Sequence, residues 1–361
     1  MANRLFELNE TKGTFKIRGI VTGIDRDNSY SDKKTKTGKA RRQLSFGLQY
    51  KKDEVLYVNC EGMEKDTVWF SRRKDDGTTE TKQVKWADRY SFKEDGFAPI
   101  GVVVALETTH PDQSGKSSLV YKRLDQFDAC KYIKDILEDD TSVEVKGRIE
   151  YSSYETDKGE KRNNIKLQIT NITRCRYDLD LDETTEENAV HDFEQTIMFM
   201  GAEKEEKDGT PTNRAIISAN IVNYNSIETA EFIIEDLKDD DLSAYCRNLR
   251  KLDPYTSITI SGKIYGKSVE EEVSDNDGWG KPNPMRKVSR PYVREFLTSG
   301  AESSSIDQTL YNEQSVNEAI EKINNSKKAD RDFGDIPTAS SSNDGWGTTS
   351  KIDIDDEEDD W

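Results

Sequence analysis

The chain has 361 residues, of which 34% are charged and only 33% hydrophobic, and its formal net charge is -18. That composition excludes one large apolar enzyme core, and no apolar run approaches the ~20 residues of a membrane-spanning helix. A chain of this length is expected to form two or three domains. The N-terminus, Met1-Ala-Asn-Arg-Leu-Phe-Glu-Leu, lacks the apolar stretch of a secretory signal. Cys60, Cys130, Cys175 and Cys246 are scattered, with no CxxC pair. Isolated thiols fit a reducing, cytoplasmic setting. His110 and His191 stand alone and are expected on the surface or in loops, so no metal and no cofactor are expected.

The net charge divides unevenly. Residues 12–176 hold 33 Lys+Arg and 27 Asp+Glu, whereas residues 177–361 hold 19 and 42. Within the first part, residues 12–52 hold 12 basic and 3 acidic residues. A basic region in an acidic chain is the electrostatic footprint of a polyanion binder.

Taken in chain order, residues 14–21 alternate, with Phe15 and Ile17 on one side and Lys16 and Arg18 on the other, which predicts a strand with a basic face. A Lys-rich loop is expected at 26–40, carrying Lys33, Lys34, Lys36 and Lys39. Arg41 and Arg42 then open a second alternating strand through Leu44, Phe46, Leu48 and Tyr50. Further strands are expected at 55–60, 67–73 and 83–90, the last two joined by the turn Asp75-Asp76-Gly77. Residues 125–138 have helical spacing, with Asp125 as cap. Strands at 142–151 and 163–174 close the unit. Phe15, Phe46 and Phe70 are expected in the core; Tyr57 and Trp69 are out of phase with their apolar neighbours.

A weak internal repeat organises the rest. Thr141-Ser-Val-Glu-Val-Lys-Gly-Arg-Ile149 aligns with Thr256-Ser-Ile-Thr-Ile-Ser-Gly-Lys-Ile264, offset by 115 residues. Each copy follows a helix-like segment, at 125–138 and 240–252. The repeated order of strand, polar loop, two strands, helix and two strands is the layout of an oligonucleotide/oligosaccharide-binding (OB) barrel. The glycine of each copy would permit the bend that closing a small barrel needs. A β-sandwich with one helix is the alternative. The expectation is a mainly β chain with two tandem OB-like five-stranded barrels, at 12–177 and 196–300. An acidic linker is expected at 178–195, a helical segment at 301–325 and a disordered acidic tail at 326–361.

Binding of a single strand needs a basic groove interleaved with aromatic rings. The first domain supplies Lys16, Arg18, Lys33, Lys34, Lys36, Lys39, Arg41 and Arg42. Its first hairpin adds Arg72, Arg73 and Lys74, and the hairpin 151–163 adds Lys158, Lys161 and Arg162. Candidate stacking rings are Tyr57, Trp69, Trp86, Tyr151 and Tyr154; for each, core packing is the alternative. In the second domain the main positive group is Lys263, Lys267, Lys281, Arg286, Lys287, Arg290 and Arg294, with Tyr265 and Trp279 as possible stackers. Asn276-Asp-Gly-Trp-Gly280 recurs at Asn343-Asp-Gly-Trp-Gly347. No nucleotide-binding loop, zinc-protease helix or nucleophile elbow is present, so no enzyme is expected.

The chain ends Lys351-Ile-Asp-Ile-Asp-Asp-Glu-Glu-Asp-Asp-Trp361, a string of seven carboxylates closed by an aromatic ring. With the basic groove and the Ser/Asn/Gly/Asp-rich segment before it, this resembles the single-stranded DNA-binding proteins, most of all the bacteriophage-encoded type. The resemblance implies a non-enzymatic, largely sequence-independent binder of single-stranded DNA in replication, recombination or repair, in the cytoplasm of a bacterial host. It implies that Asp355, Asp356, Glu357, Glu358, Asp359, Asp360 and Trp361 bind partner proteins and compete with DNA for the groove. Cellular bacterial members end in an acidic run followed by Ile/Leu-Pro-Phe and use one barrel that tetramerises. This chain ends in Trp, without that proline, and two barrels favour a monomer or homodimer. The alternative is an acidic protein-interaction protein or DNA mimic; a metal-dependent nuclease is more distant. No membrane association is expected.

Overall fold

The structure, a computed structural model, describes residues 4–35, 37–110, 117–155, 161–207, 209–235, 244–268 and 292–332. It is mainly β. The strands are β1 (Gly13–Thr22), β2 (Tyr30–Lys34), β3 (Ala40–Lys51), β4 (Glu54–Met63), β5 (Thr67–Arg73), β6 (Thr79–Lys85), β7 (Ala98–Pro99), β8 (Val102–Thr108) and β9 (Leu119–Leu124). Helix α1 (Gln126–Ile136) precedes β10 (Ser142–Glu155), β11 (Lys161–Arg174), β12 (His191–Lys207), β13 (Thr210–Val222) and β14 (Ile227–Glu235). Helix α2 (Ala244–Leu249), β15 (Thr256–Ser268), β16 (Tyr292–Asp307) and α3 (Glu313–Asp332) complete the order.

Strand pairing closes on itself twice. In the first unit β1 pairs β3, β3 pairs β4, β4 runs parallel to β11, β11 pairs β10 and β10 returns to β1. In the second unit β12, β13, β14, β16 and β15 form the same circuit, again with one parallel pairing, β14 to β16. The repeat seen in the sequence falls on β10 and β15, the equivalent strands of the two circuits. Its two glycines, Gly147 and Gly262, stand at register shifts in the ladders. A Cβ on Gly147 would overlap the carbonyl oxygen of Gln168, and one on Gly262 that of Leu297. The missing side chain therefore lets neighbouring strands approach closely at the bend.

Alternation fills each circuit with apolar side chains: Phe15, Ile17, Phe46, Val58, Val145 and Ile169 in the first, and Phe193, Ile197, Ile217, Phe232, Ile260 and Phe296 in the second, all buried. Helix α1 caps the first core with Phe127, Cys130 and Ile133. The Asp125 carboxylate accepts the backbone N–H groups of Phe127 at 2.8 Å and Asp128 at 3.2 Å, so the predicted cap is present, a contact stabilising by about 1 kcal/mol. Phe6, Leu8, Tyr311, Val316 and Ile323 form a second cluster, in which the N-terminal segment and α3 pack together on the second unit.

The units join edge to edge: β1 pairs β12 from Gly13 opposite Gln195 to Ile17 opposite His191. The Tyr292 hydroxyl donates to the Val55 carbonyl and the Asn223 amide to the Tyr151 carbonyl. His191 lies inside this seam with 0% exposure, not on the surface as expected. Its ring stacks on Tyr50 at 4.4 Å and meets the edge of Tyr265 at 4.9 Å. Burial holds its pKa below the ordinary value, so the neutral ring donates from Nδ1 to the Ile264 carbonyl at 2.7 Å.

Several boundaries differ from the sequence reading. The Lys-rich loop contains β2, because Tyr30 to Lys34 complete a hairpin with β3. The strand expected at 83–90 ends at Lys85; the chain then tightens into a 3₁₀ turn, Trp86–Asp88, that tucks the Trp86 ring against Phe127. The acidic linker stops at 190, where pairing with β1 draws residues 191–195 into β12. Helix α3 continues to Asp332, past the expected onset of disorder at 326. Cys60 and Cys130 are not isolated: both are buried, with their sulfurs 3.5 Å apart. Between β4 and α1 the first unit carries β5 to β9, of which β7, β8 and β9 were not anticipated. Strands β6, β5 and β7 make a separate three-stranded sheet, and the β8–β9 hairpin pairs with β11. Residues 333–361, including the tail, lie outside the described residues.

Candidate nucleic-acid interface

The outward face of the first unit follows from strand alternation. On β10, Val143, Val145, Gly147 and Ile149 are buried, so Glu144, Lys146, Arg148 and Glu150 point outward. On β4, Leu56, Val58 and Cys60 face the core, leaving Tyr57, Asn59 and Glu61 outward. Register aligns these rows. Arg18 lies opposite Glu144, Lys16 opposite Lys146, Arg148 opposite Gln168, and Gln168 opposite Asn59.

The face carries more cations than carboxylates. Glu144 alone meets Arg18 at 3.0 Å, Lys146 at 3.2 Å and Lys16 at 3.3 Å. Burial pushes its carboxyl up, but these three cations outweigh that and hold it below the ordinary range. Glu61 is held in the same way against burial by Lys166, at 3.0 Å, and by Arg41. Arg148, among the described residues, has no ion pair. Exposed aromatic rings stand within β4, at Tyr57, and past its end, at Trp69 on β5. Tyr57, 38% exposed, meets the edge of Tyr292 at 5.3 Å; Trp69, 43% exposed, lies beyond Met63.

Trp69 forms one side of a pocket of about 400 Å³ between the three-stranded sheet and the start of α1. Trp86, Phe127 and Ile100 supply further apolar lining, Asp125 and Gln126 supply polar groups, and Lys65 and Arg148 are its cations. The Arg89 guanidinium covers the Trp86 ring at 3.9 Å, and Phe127 meets that ring edge-on at 5.4 Å. Burial, reinforced by Asp128, pushes the Asp125 carboxyl up to about 6.

The structure separates the residues proposed from sequence. Lys16 and Arg18 lie on the outward face, and Arg41 joins them through Glu61. Lys33 and Lys34 are exposed on β2, an edge strand and not a loop. Lys39 is 3.3 Å from Asp66. Arg42 points to the inward side of β3, where it stacks over Phe127 at 3.9 Å and bonds Asp32 at 2.8 Å. It therefore braces α1 and is not part of the outward face. Arg72 and Lys74 both turn to Glu80, at 2.8 and 3.8 Å, while Arg73 is exposed. Tyr151 is buried beside Phe296, 6.4 Å between rings, and leaves no face open to a base. Tyr154, half-buried, pairs in register with Arg162, and the backbone of Lys161 pairs with Glu155. Lys36, Lys158 and the acidic tail, Asp355, Asp356, Glu357, Glu358, Asp359, Asp360 and Trp361, lie outside the described residues.

In the second unit the expected cations serve the seam between units. Lys263 donates to the carbonyls of Glu186 at 3.0 Å and Ala189 at 2.9 Å. Arg294 donates to the carbonyls of Ile165 and Tyr57, and the Tyr265 hydroxyl bonds Glu186. The backbone of Lys267 pairs with Val293 in the β15–β16 ladder. Lys281, Arg286, Lys287, Arg290, Trp279 and both Asn-Asp-Gly-Trp-Gly motifs lie outside the described residues. Sequence reasoning missed Lys65, Lys146, Arg148 and Lys166. The last three were legible as the outward positions of alternating strands; Lys65 was not, because only the fold of residues 64–124 brings it to the pocket.

Among the described residues no cluster of His, Cys, Asp and Glu is arranged to hold a metal ion, and no helix is long and apolar enough to cross a membrane. A family model described as YorF matches residues 73–334. No curated protein matches the chain significantly. Among solved structures, a deletion mutant of the single-stranded DNA binding protein from Thermus aquaticus shares 12% identity, covering 81% of this chain and 94% of its own, at a TM-score of 0.36. The wild-type form of that protein shares 11%, covering 81% and 93%, at 0.35. Likenesses at that level decide neither fold nor function.

Proposed function

The chain belongs to the YorF family, and we propose that it is a non-enzymatic, largely sequence-independent single-stranded DNA-binding protein serving replication, recombination or repair. Each closed strand circuit, with its helix before the last two strands, is read as an OB-like barrel. The observation that carries the reading is the outward face of the first circuit. There Lys16, Arg18, Arg41, Lys146, Arg148 and Lys166 share a surface with Glu61, Glu144 and Glu150 and, across the β1–β12 ladder, with the exposed Asp192 opposite Lys16 and Glu194 opposite Thr14, and exposed rings stand at Tyr57 and Trp69. Four residues of β4 on this side, Tyr57 to Met63, span about 20 Å at strand rise. Phosphates would meet the cations and bases the rings, a combination that tolerates any sequence because every base has a π-face.

The acidic C-terminal string ending in Trp361 is proposed as the partner-binding element and as a competitor for the same cations. The deciding experiment is a titration of fluorescent oligo(dT) at low and moderate salt. Binding whose log affinity falls linearly with log salt supports the reading, since each neutralised phosphate releases counterions. Absence of binding at low salt would sink it and leave an acidic protein-interaction protein or DNA mimic.

A further inference from the structure

We infer that the pocket beside Trp69 takes a single unstacked nucleobase of the bound strand, so that one nucleotide of the site has a receptacle of its own. The inference rests on the DNA-binding reading and deepens it. Four observations converge. First, Val68 and Phe70 are buried at 5% and 3%, so alternation turns Trp69 away from that core and leaves it 43% exposed. Among the described residues its ring makes no ring–ring or cation–π contact. Second, Trp86 is already held in place by the Arg89 guanidinium, at 3.9 Å, and by the edge of Phe127. A ring entering beside it would find an ordered wall, which lowers the cost of ordering the site on binding.

Third, Lys65 and Arg148 are exposed and, among the described residues, have no ion pair. Most other cations of the outward face are held by Glu61 or Glu144. Arg148 has Glu150 as an electrostatic neighbour without forming an ion pair, and two exposed cations beside an aromatic pocket suit the phosphates on either side of an inserted base. Fourth, Gln126 is among the residues lining the pocket, and its side-chain amide has no hydrogen bond among the described residues. That amide offers an NH2 donor group and a carbonyl acceptor and can turn either to a base edge, so it would recognise a base without choosing its sequence. The volume, about 400 Å³, lies within the range of small-ligand clefts, and the pocket opens toward the cation-bearing face through Arg148 and Thr170.

The test uses the full chain and the shortest oligo(dT) that retains full affinity, which prevents the strand from sliding into another register. Each nucleotide in turn is replaced by an abasic residue. Outside the nucleotide that meets Tyr57, one position should lower affinity about 10-fold, the scale of a lost stacking contact, and the rest less than about 2-fold. Trp69→Ala should lower affinity for the intact strand by a similar factor and erase the position dependence, while Trp69→Phe keeps it. Trp69 is substantially exposed, and circular dichroism of each variant checks that the fold persists. Equal losses at every position, or a position dependence that survives Trp69→Ala, would overturn the inference while leaving the DNA-binding reading standing. Failure of the intact strand to bind at low salt would overturn both.

Discussion

Arg148 on β10 and Lys263 on β15 stand at the same place in the repeated strand, 115 residues apart. Arg148 is exposed, without an ion pair among the described residues, and reaches the pocket built by residues 64–124. Lys263 is drawn into the seam between units, where it donates to two backbone carbonyls and approaches His191 at 3.4 Å. One strand position thus serves an open face in the first unit and the joint in the second. The surroundings account for the difference. The first unit inserts five strands between β4 and α1 and presents its outer face beside them, whereas the second turns the matching residue toward the linker at Glu186 and Ala189. A repeat conserves backbone geometry; which side chain remains available to a ligand depends on what covers it.

The bend shared by the two units carries the largest expected effect. Gly147→Ala and Gly262→Ala should each destabilise the protein by about 3 kcal/mol, because both Cβ atoms would overlap a neighbouring carbonyl. Chemical denaturation reads this, and a marked loss in only one variant would show that the two bends are not equivalent. Next comes the divergent part. Replacing Lys146 and Arg148 together by Ala should weaken oligo(dT) binding about 10-fold and reduce the salt slope by roughly 2. Lys263→Ala should instead cost about 1–3 kcal/mol of stability by leaving two carbonyls unpaired, with the affinity of the folded protein unchanged. A Lys263→Ala variant that folds normally but binds DNA poorly would reverse the assignment of the two faces.

A smaller effect is expected from the tail. Truncation after Ser350 removes seven carboxylates and should strengthen oligo(dT) binding by about 3-fold at low salt and less at high salt. Unchanged binding at low salt would mean that the string does not reach the first unit.

The seam itself should respond to pH. His191 is neutral when folded because burial lowers its pKa; Lys263 lowers it further, while the Ile264 carbonyl, Glu186 and Asp192 raise it, and the net direction is down. Its contribution is therefore fully present above the ordinary histidine value near 6.5 and is lost as pH falls through the lower folded value. Thermal unfolding midpoints should drop between about pH 7 and 5, less steeply in His191→Gln. Identical pH profiles for the two proteins would remove His191 from the joint.

Much of the frame was legible in the residues. Alternation at Phe15-Lys16-Ile17-Arg18 identified a strand and its outward side, because a strand's side chains point to opposite faces in turn, and the same pattern at Val143-Glu144-Val145-Lys146 carries the outward side that the reading missed. The 115-residue repeat identified two equivalent units, and Asp125 marked the start of α1, because a cap is a local arrangement of one side chain and two backbone N–H groups. Charge division located the basic half. Local sequence could not say what lies across from each residue. Lys33 and Lys34 joined a strand because β3 was there to pair with them. Tyr151 sank beside Phe296 and His191 between Tyr50 and Tyr265, each meeting partners more than 70 residues away. Trp69, Trp86, Lys65 and Arg148 come together only because residues 64–101 pack beside the start of α1 and reach Arg148 on β10. The sequence by itself determined where strands alternate, where α1 begins and where the units repeat, since periodicity and capping act over a few residues. The tertiary structure alone decided which outward residues remain open to a ligand, since burial and ion pairing depend on neighbours that the chain supplies from a distance.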